Sequence, residues 1–275
     1  MTDTRKLPIG VFDSGIGGLT VLRAIQDLLP AESTIYLGDT ARVPYGTKSR
    51  EVVTRYAINN ADFLVEQGIK LLVVACNTAS SVALNTLKTH YQLPVLGVIE
   101  PGARRACEIT QSNVVGVIGT EATIASEAYQ QALRGIKPDL TILARSCPLF
   151  VPLAEEGWLA HPITNQISRV YLTDWALDGL DTLILGCTHY PVLVASIKTA
   201  VKPSVTLLDS ASVVAKTVHD LLKRQNLARD PDSDQARHVY YVTDVPERFR
   251  RVGEIFLQRP LSEVIQVDIE PAGRS

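Results

Sequence analysis

Hydrophobic positions along this chain fall in short runs rich in β-branched residues, and longer stretches with apolar residues at helical spacing separate them. The runs predict strands over Ile9–Phe12, Thr34–Leu37, Leu71–Ala75, Val95–Val98, Val114–Ile118, Thr141–Ala144, Thr182–Leu185, Thr206–Leu208, His238–Val242 and Val264–Val267. The intervening pattern predicts helices such as Leu19–Leu29, Arg50–Gln67, Ile163–Leu177 and Ser212–Arg224. Strands alternating with helices predict an α/β fold of mostly parallel sheets with helices on both faces. In such sheets ligands bind beyond the carboxyl ends of the strands.

The pattern repeats. Ile9-Gly10-Val11-Phe12-Asp13-Ser14 lines up with Val115-Gly116-Val117-Ile118-Gly119-Thr120, 106 residues later. An apolar run ending in Cys76-Asn77-Thr78 lines up with a second ending in Cys187-Thr188-His189, 111 residues later. Chance similarity between buried strands would give a match equally short. Duplication predicts two similar domains facing each other across a cleft: residues 1–99 with 210–275, and residues 100–209, with a boundary near Glu100-Pro101-Gly102. Asn226 to Arg237, rich in Asp, Gln, Arg and Pro, reads as an exposed loop.

Composition narrows the class. Of 275 residues, 46% are hydrophobic and 20% charged, which suits a globular chain with a sizeable core. A net charge of −2 and a pI near 6.2 supply no general attraction to nucleic acid or to an anionic membrane. Arg248, Arg250 and Arg251 cluster, and they read as the wet face of a helix. No apolar run reaches the ~18 residues of a membrane span, and the first residues do not form a secretory signal. The four cysteines, Cys76, Cys107, Cys147 and Cys187, are widely spaced. That spacing fits neither a zinc site nor a disulfide framework, so a cytoplasmic protein with reduced thiols and no metal is expected.

The two cysteine frames carry the chemistry. Each puts a thiol where a buried strand ends and polar residues begin a new turn. A helix N-terminus or a neighbouring histidine lowers a thiol's pKa from ~8.5. His189 stands two residues past Cys187, and Thr78 and Thr188 offer hydroxyls to a carboxylate. Cys107 and Cys147 lack the frame and read as structural.

Three further loops lie on the same strand edges. Asp13-Ser14-Gly15-Ile16-Gly17-Gly18 follows the first strand, but Thr20 replaces the third glycine of a dinucleotide fingerprint and no P-loop lysine follows. Asp13 there can orient an ammonium group, accept a proton or cap the helix. In Gly38-Asp39-Thr40-Ala41-Arg42-Val43-Pro44-Tyr45-Gly46, Tyr45 and the backbone of Gly46 are candidate carboxylate contacts. Cys147-Pro148-Leu149-Phe150-Val151-Pro152-Leu153-Ala154-Glu155-Glu156 places two carboxylates on the edge of the second sheet.

Inverting an amino-acid centre requires proton removal on one face and delivery on the other. Two thiols presented by equivalent halves suit that task by exchanging roles. Lys48 and Lys70 read as surface residues, so no lysine is placed to carry pyridoxal phosphate. Backbone N–H groups and Thr and Asn donors would stabilise the carbanion.

The segments Phe12–Val21, Tyr36–Gly46, Ala75–Ser80, Val117–Ser126, Cys147–Gly157 and Gly186–Pro191 together resemble the cofactor-independent glutamate racemases. The resemblance implies glutamate bound between two α/β domains, with Cys76 and Cys187 as paired proton donor and acceptor. It implies that Asp13 assists Cys76, while His189 and an acidic residue, Glu155 or Glu156, assist Cys187. Substrate contacts are implied from Asp13, Ser14, Pro44, Tyr45, Gly46, Asn77, Thr78, Thr120, Thr123, Thr188 and His189. It further implies no cofactor, a homodimer and a supply of D-glutamate for peptidoglycan. The residues also admit racemisation of aspartate or another amino acid, a cysteine hydrolase or acyl transferase using Cys187 and His189, and a non-catalytic amino-acid binding protein.

Overall fold

The protein is described by a computed structural model over residues 3–177, 179–232, 234–261 and 263–269. All ten expected strands form: β1 (Ile9–Asp13), β2 (Thr34–Gly38), β3 (Leu71–Val74), β4 (Val95–Gly97), β5 (Val114–Gly119), β6 (Thr141–Ser146), β7 (Thr182–Gly186), β8 (Thr206–Asp209), β9 (His238–Val242) and β10 (Val264–Gln266). They build a six-stranded sheet, β10-β9-β2-β1-β3-β4, and a four-stranded sheet, β6-β5-β7-β8. Every pairing is parallel.

The order β2-β1-β3-β4 in the first sheet recurs as β6-β5-β7-β8 in the second. Register recurs too: Ile9 faces Leu71, and Val115 faces Thr182. Cys76 and Cys187 each lie five residues beyond those partners. The two thiols therefore leave equivalent edges of equivalent strands.

Helices α1 (Leu19–Leu28), α2 (Arg50–Glu66), α3 (Asn77–His90), α4 (Ile99–Ile109), α5 (Glu121–Ala125), α6 (Ala128–Ile136), α7 (Phe150–Glu155), α8 (Pro162–Leu172), α9 (Val194–Lys198), α10 (Ser210–Arg224) and α11 (Pro246–Leu257) cover the sheets. Period-two alternation divides each strand between the faces. Ile9, Val11, Leu71 and Val73 enter one core, whereas Phe12, Leu72 and Val74 enter another beneath α2 and α3. The first core is continuous with that of the second sheet. It runs through Ile99, Ala103 and Ala106 of α4 and Val214, Val218 and Leu222 of α10. The chain thus leaves the first sheet on α4 and returns on α10, and the sheet edges face each other across a shared hydrophobic floor. Glu100, at the expected boundary, lies in the first turn of α4.

Three expectations change. The helix expected over Ile163–Leu177 ends at Leu172 and tightens into a 3-10 turn, Thr173–Leu177. Arg145 takes the Tyr171 carbonyl and both carboxylate oxygens of Asp174, which competes with the helical ladder. The helix expected from Ser212 starts at Ser210, because Asp209 caps the N–H groups of Ala211 and Ser212. Lys70 is not a surface residue. Its ammonium is buried, 2.5 Å from Glu32, and also donates to the carbonyls of Arg5 and Leu227. Those acceptors satisfy its three hydrogens and anchor the start of the 226–237 loop.

Candidate active site

The first thiol is built by β3 and α3. Leu71–Val74 delivers Cys76 to the N-cap of α3, where its sulfur accepts from the Ala79 N–H at 3.5 Å. The thiol also reaches the Ser14 hydroxyl at 3.6 Å. Burial, joined by the charge of Asp13, pushes the Cys76 thiol up to about 12 against those hydrogen bonds. Asp13 ends β1 and is fully buried, and its Oδ2 accepts from the N–H groups of Gly15 and Gly18. Its Oδ1 has no hydrogen-bond partner among the described residues. Burial raises the Asp13 carboxyl, opposed by the charge of His189 and by the N–H groups.

The second thiol is built differently. β7 delivers Cys187 to a short connection, followed by a 3-10 turn at Tyr190–Leu193 rather than a long helix. A neighbouring ring replaces the helix terminus. His189 Nδ1 lies 3.8 Å from Cys187 Sγ, and His189 Nε2 lies 3.1 Å from Glu155 Oε1. Arg248 Nη2 donates to Glu155 Oε2 at 2.8 Å. Burial disfavours a charged His189, but Cys187 and Glu155 outweigh it and raise the imidazole to about 10. Both partners thus favour the protonated ring of His189. Burial also works against ionised Glu155, yet His189 and Arg248 hold its carboxyl below the usual range.

A cavity of about 310 Å³ lies between these groups, with both cysteines on its walls. That is the small end of the ~300–1,000 Å³ range of ligand pockets, so a small metabolite fits better than a polymer. Ser14, Pro44, Tyr45, Gly46, Asn77, Thr78, Thr120, Glu155, Thr188 and His189 also line it. Asp13 and Thr123 stand behind the lining; Thr123 bonds both Thr78 and Thr120. Glu155 faces the cavity while Glu156 is exposed. Tyr45 gives its one hydroxyl hydrogen to Asp39 and accepts from Asn60, so its ring and backbone form the wall. Asn77 Oδ1 accepts from the Tyr129 hydroxyl at 2.7 Å. Its buried Nδ2 has no partner among the described residues and is a donor available to a ligand.

Gly15, Val43, Thr47, Glu121, Pro148, Val151 and Pro152 complete the lining. Sequence reasoning did not single them out, although each lies within or beside a segment it did. Arg248, Phe256 and Tyr129 support the wall from helices with no local signal. Arg248 is partly exposed, as expected of a wet helix face, but its guanidinium is committed to Glu155. Among the described residues no His, Cys, Asp and Glu cluster could hold a metal ion, and no helix is long and apolar enough to cross a membrane.

A glutamate racemase of Geobacter metallireducens is 55% identical over 262 residues, covering 95% of this chain and 97% of that protein. The structure superposes on the glutamate racemase of Francisella tularensis, solved with D-glutamate, with a TM-score of 0.91 at 38% identity, covering 97% of this chain and 99% of that one. It superposes on the Thermus thermophilus glutamate racemase, solved with β-chloro-D-alanine, with a TM-score of 0.88 at 47% identity, covering 96% of this chain and 98% of that one. Residues 9–218 match the family described as Asp/Glu/Hydantoin racemase, and the chain belongs to that family.

Proposed function

We propose that this protein interconverts L- and D-glutamate by proton transfer between Cα and two thiols, without a cofactor. One observation carries the reading: Cys76 and Cys187 line the same small cavity from equivalent strand ends, with the charge of Asp13 acting on the first and the His189 ring 3.8 Å from the second. The names and bound ligand of the relatives point to glutamate.

In one direction a thiolate takes the Cα proton, and the opposite thiol delivers its own proton to the other face. In the reverse direction the roles exchange. The His189 ring lies 3.8 Å from the Cys187 sulfur, where it can exchange a proton with it, while burial and Asp13 keep Cys76 as a thiol. With Cys76 held as a thiol, one direction has Cys76 supply a proton while Cys187 removes one; transfer of the Cys76 proton toward Asp13 prepares the other direction. The N–H groups at the start of α3, the Asn77 amide and the Thr78 and Thr188 hydroxyls are donors for the substrate's carboxylates and the developing carbanion. On this reading the enzyme is a cytoplasmic homodimer that supplies D-glutamate for peptidoglycan, and residues 1–99 with 210–275 and 100–209 are its two domains.

The test is Cα–H exchange of each glutamate enantiomer in heavy water. Wild-type protein should exchange and racemise both, and Cys76→Ala and Cys187→Ala should each abolish racemisation while remaining folded. Near-normal racemisation by either variant would exclude the two-thiol assignment. A second reading is favoured by the Cys187–His189–Glu155 line, which also suits a nucleophile, its base and an orienting carboxylate. That hydrolase reading predicts a trappable acyl-thioester on Cys187 and leaves Cys76 dispensable.

A further inference from the structure

We infer that Arg248 is a positioning residue: it holds Glu155 so that this carboxylate keeps His189 aligned on Cys187. The inference rests on the two-thiol reading above.

Glu155 is the last residue of the short helix α7, where the backbone imposes little on a long, unbranched side chain. Among the described residues, two contacts tether its carboxylate. Oε1 meets His189 at 3.1 Å, and Oε2 accepts from Arg248 at 2.8 Å. The second tether comes from a rigid base. α11 buries Phe249, Val252, Phe256 and Leu257, and packs on α1 and β10 of the first sheet. The same helix sets Phe256 edge-on against the His189 ring, with centroids 5.3 Å apart. One helix of the half that carries Cys76 thus braces both members of the pair that serves Cys187. α11 also lies outside residues 9–218, the span matched to the family.

The charges fit. His189 faces Cys187 on its own connection, Glu155 on α7 and Asp13 at the end of β1, while Arg248 acts on it through Glu155. Without Arg248, the partly exposed Glu155 keeps one tether and can turn toward water. His189 then releases its proton at lower pH, and the Cys187 side of the reaction slows while the Cys76 side does not.

L- and D-glutamate have equal free energy, so kcat/KM is equal in the two directions and cannot report this asymmetry. Isotope effects can. Arg248→Gln, Arg248→Lys and, as a control on the same helix face, Arg250→Gln would be compared with wild type using each enantiomer deuterated at Cα. Arg248→Gln should lower kcat/KM roughly five-fold, the scale of a partly exposed ion pair. It should move the basic limb of the pH profile to lower pH. It should raise the primary deuterium effect for one enantiomer only, the one whose proton Cys187 removes. Arg248→Lys should restore most of each property, and Arg250→Gln should match wild type.

An unchanged basic limb, or equal isotope effects for both enantiomers in Arg248→Gln, would overturn the inference. So would a lowered melting temperature with the loss unrestored in Arg248→Lys, because Arg248 would then be merely structural. Wild-type protein that exchanges no Cα proton of glutamate would overturn the racemase reading itself, a result distinct from an active wild type with an indifferent Arg248.

Discussion

Gly17 abuts His189 so closely that no side chain fits between them: a Cβ on Gly17 would stand 2.5 Å from Nδ1 of the ring and 2.4 Å from Oγ1 of Thr188. The loop after β1 therefore forms the back of a site whose histidine belongs to the other sheet. Thr20, in the next turn, holds its hydroxyl 2.9 Å from the Gly17 carbonyl and 3.3 Å from the Thr188 carbonyl, so its one hydrogen lies between the loop and the second sheet.

Gly17→Ala should displace His189 or Thr188 and lower kcat/KM by roughly 100-fold, as expected when a reacting group is misplaced by about 1 Å. Gly135→Ala is the contrasting variant, because nothing lies within 4 Å of a Cβ at that helical position. It should retain activity and gain about 0.5–1 kcal/mol of stability from helix propensity. Steady-state kinetics and urea unfolding on the two proteins measure both effects; a fully active Gly17→Ala enzyme would mean that the close approach has no consequence.

The pH dependence of stability has a definite sign at His189. Its pKa rises from 6.5 in a free side chain to about 10 in the folded protein, so the folded state binds this proton more tightly than the unfolded chain. The resulting stabilisation is complete below 6.5 and disappears as pH climbs through about 10. The melting temperature should fall across that window, and activity should decline at its upper end. His189→Asn should flatten this part of the melting curve, and an equally steep fall in that variant would assign the effect to another group.

Lys70 and Glu32 form a buried pair at 2.5 Å, away from the residues lining the cavity. Lys70→Met leaves the carboxylate of Glu32 without its cation and should cost about 3–5 kcal/mol. The double variant with Glu32→Leu should recover much of that loss. Racemase activity per folded molecule should be unchanged in both, as measured beside chemical denaturation. A loss below about 1 kcal/mol in the single variant would show that water reaches the pair.

Much of the fold was legible locally. The central strands, buried on both faces, need continuous apolar runs, and the edge strands keep enough β-branched residues that all ten appeared in the hydrophobic pattern. The matched frames around Cys76 and Cys187 also carried their equivalent placement, since period and register repeat with the sequence. Helix ends were less legible. Asp209 moved one start by capping it, and Arg145 ended another helix from a different strand. The choice between Glu155 and Glu156 needed coordinates, because adjacent residues at a helix end point in different directions.

The sequence by itself determined the parallel α/β architecture, the two strand-end thiols and the loops that line the cavity. These follow from local periodicity and from residues that act where the chain turns. Only the tertiary structure decided which groups serve each thiol and what braces them. Lys70 went inside because three acceptors from distant segments converge on its ammonium. Arg248 joined the Cys187 side because α11 packs across the end of the first sheet and reaches Glu155, 93 residues away along the chain. Long-range packing makes such contacts, and no local pattern of apolar and polar residues encodes them.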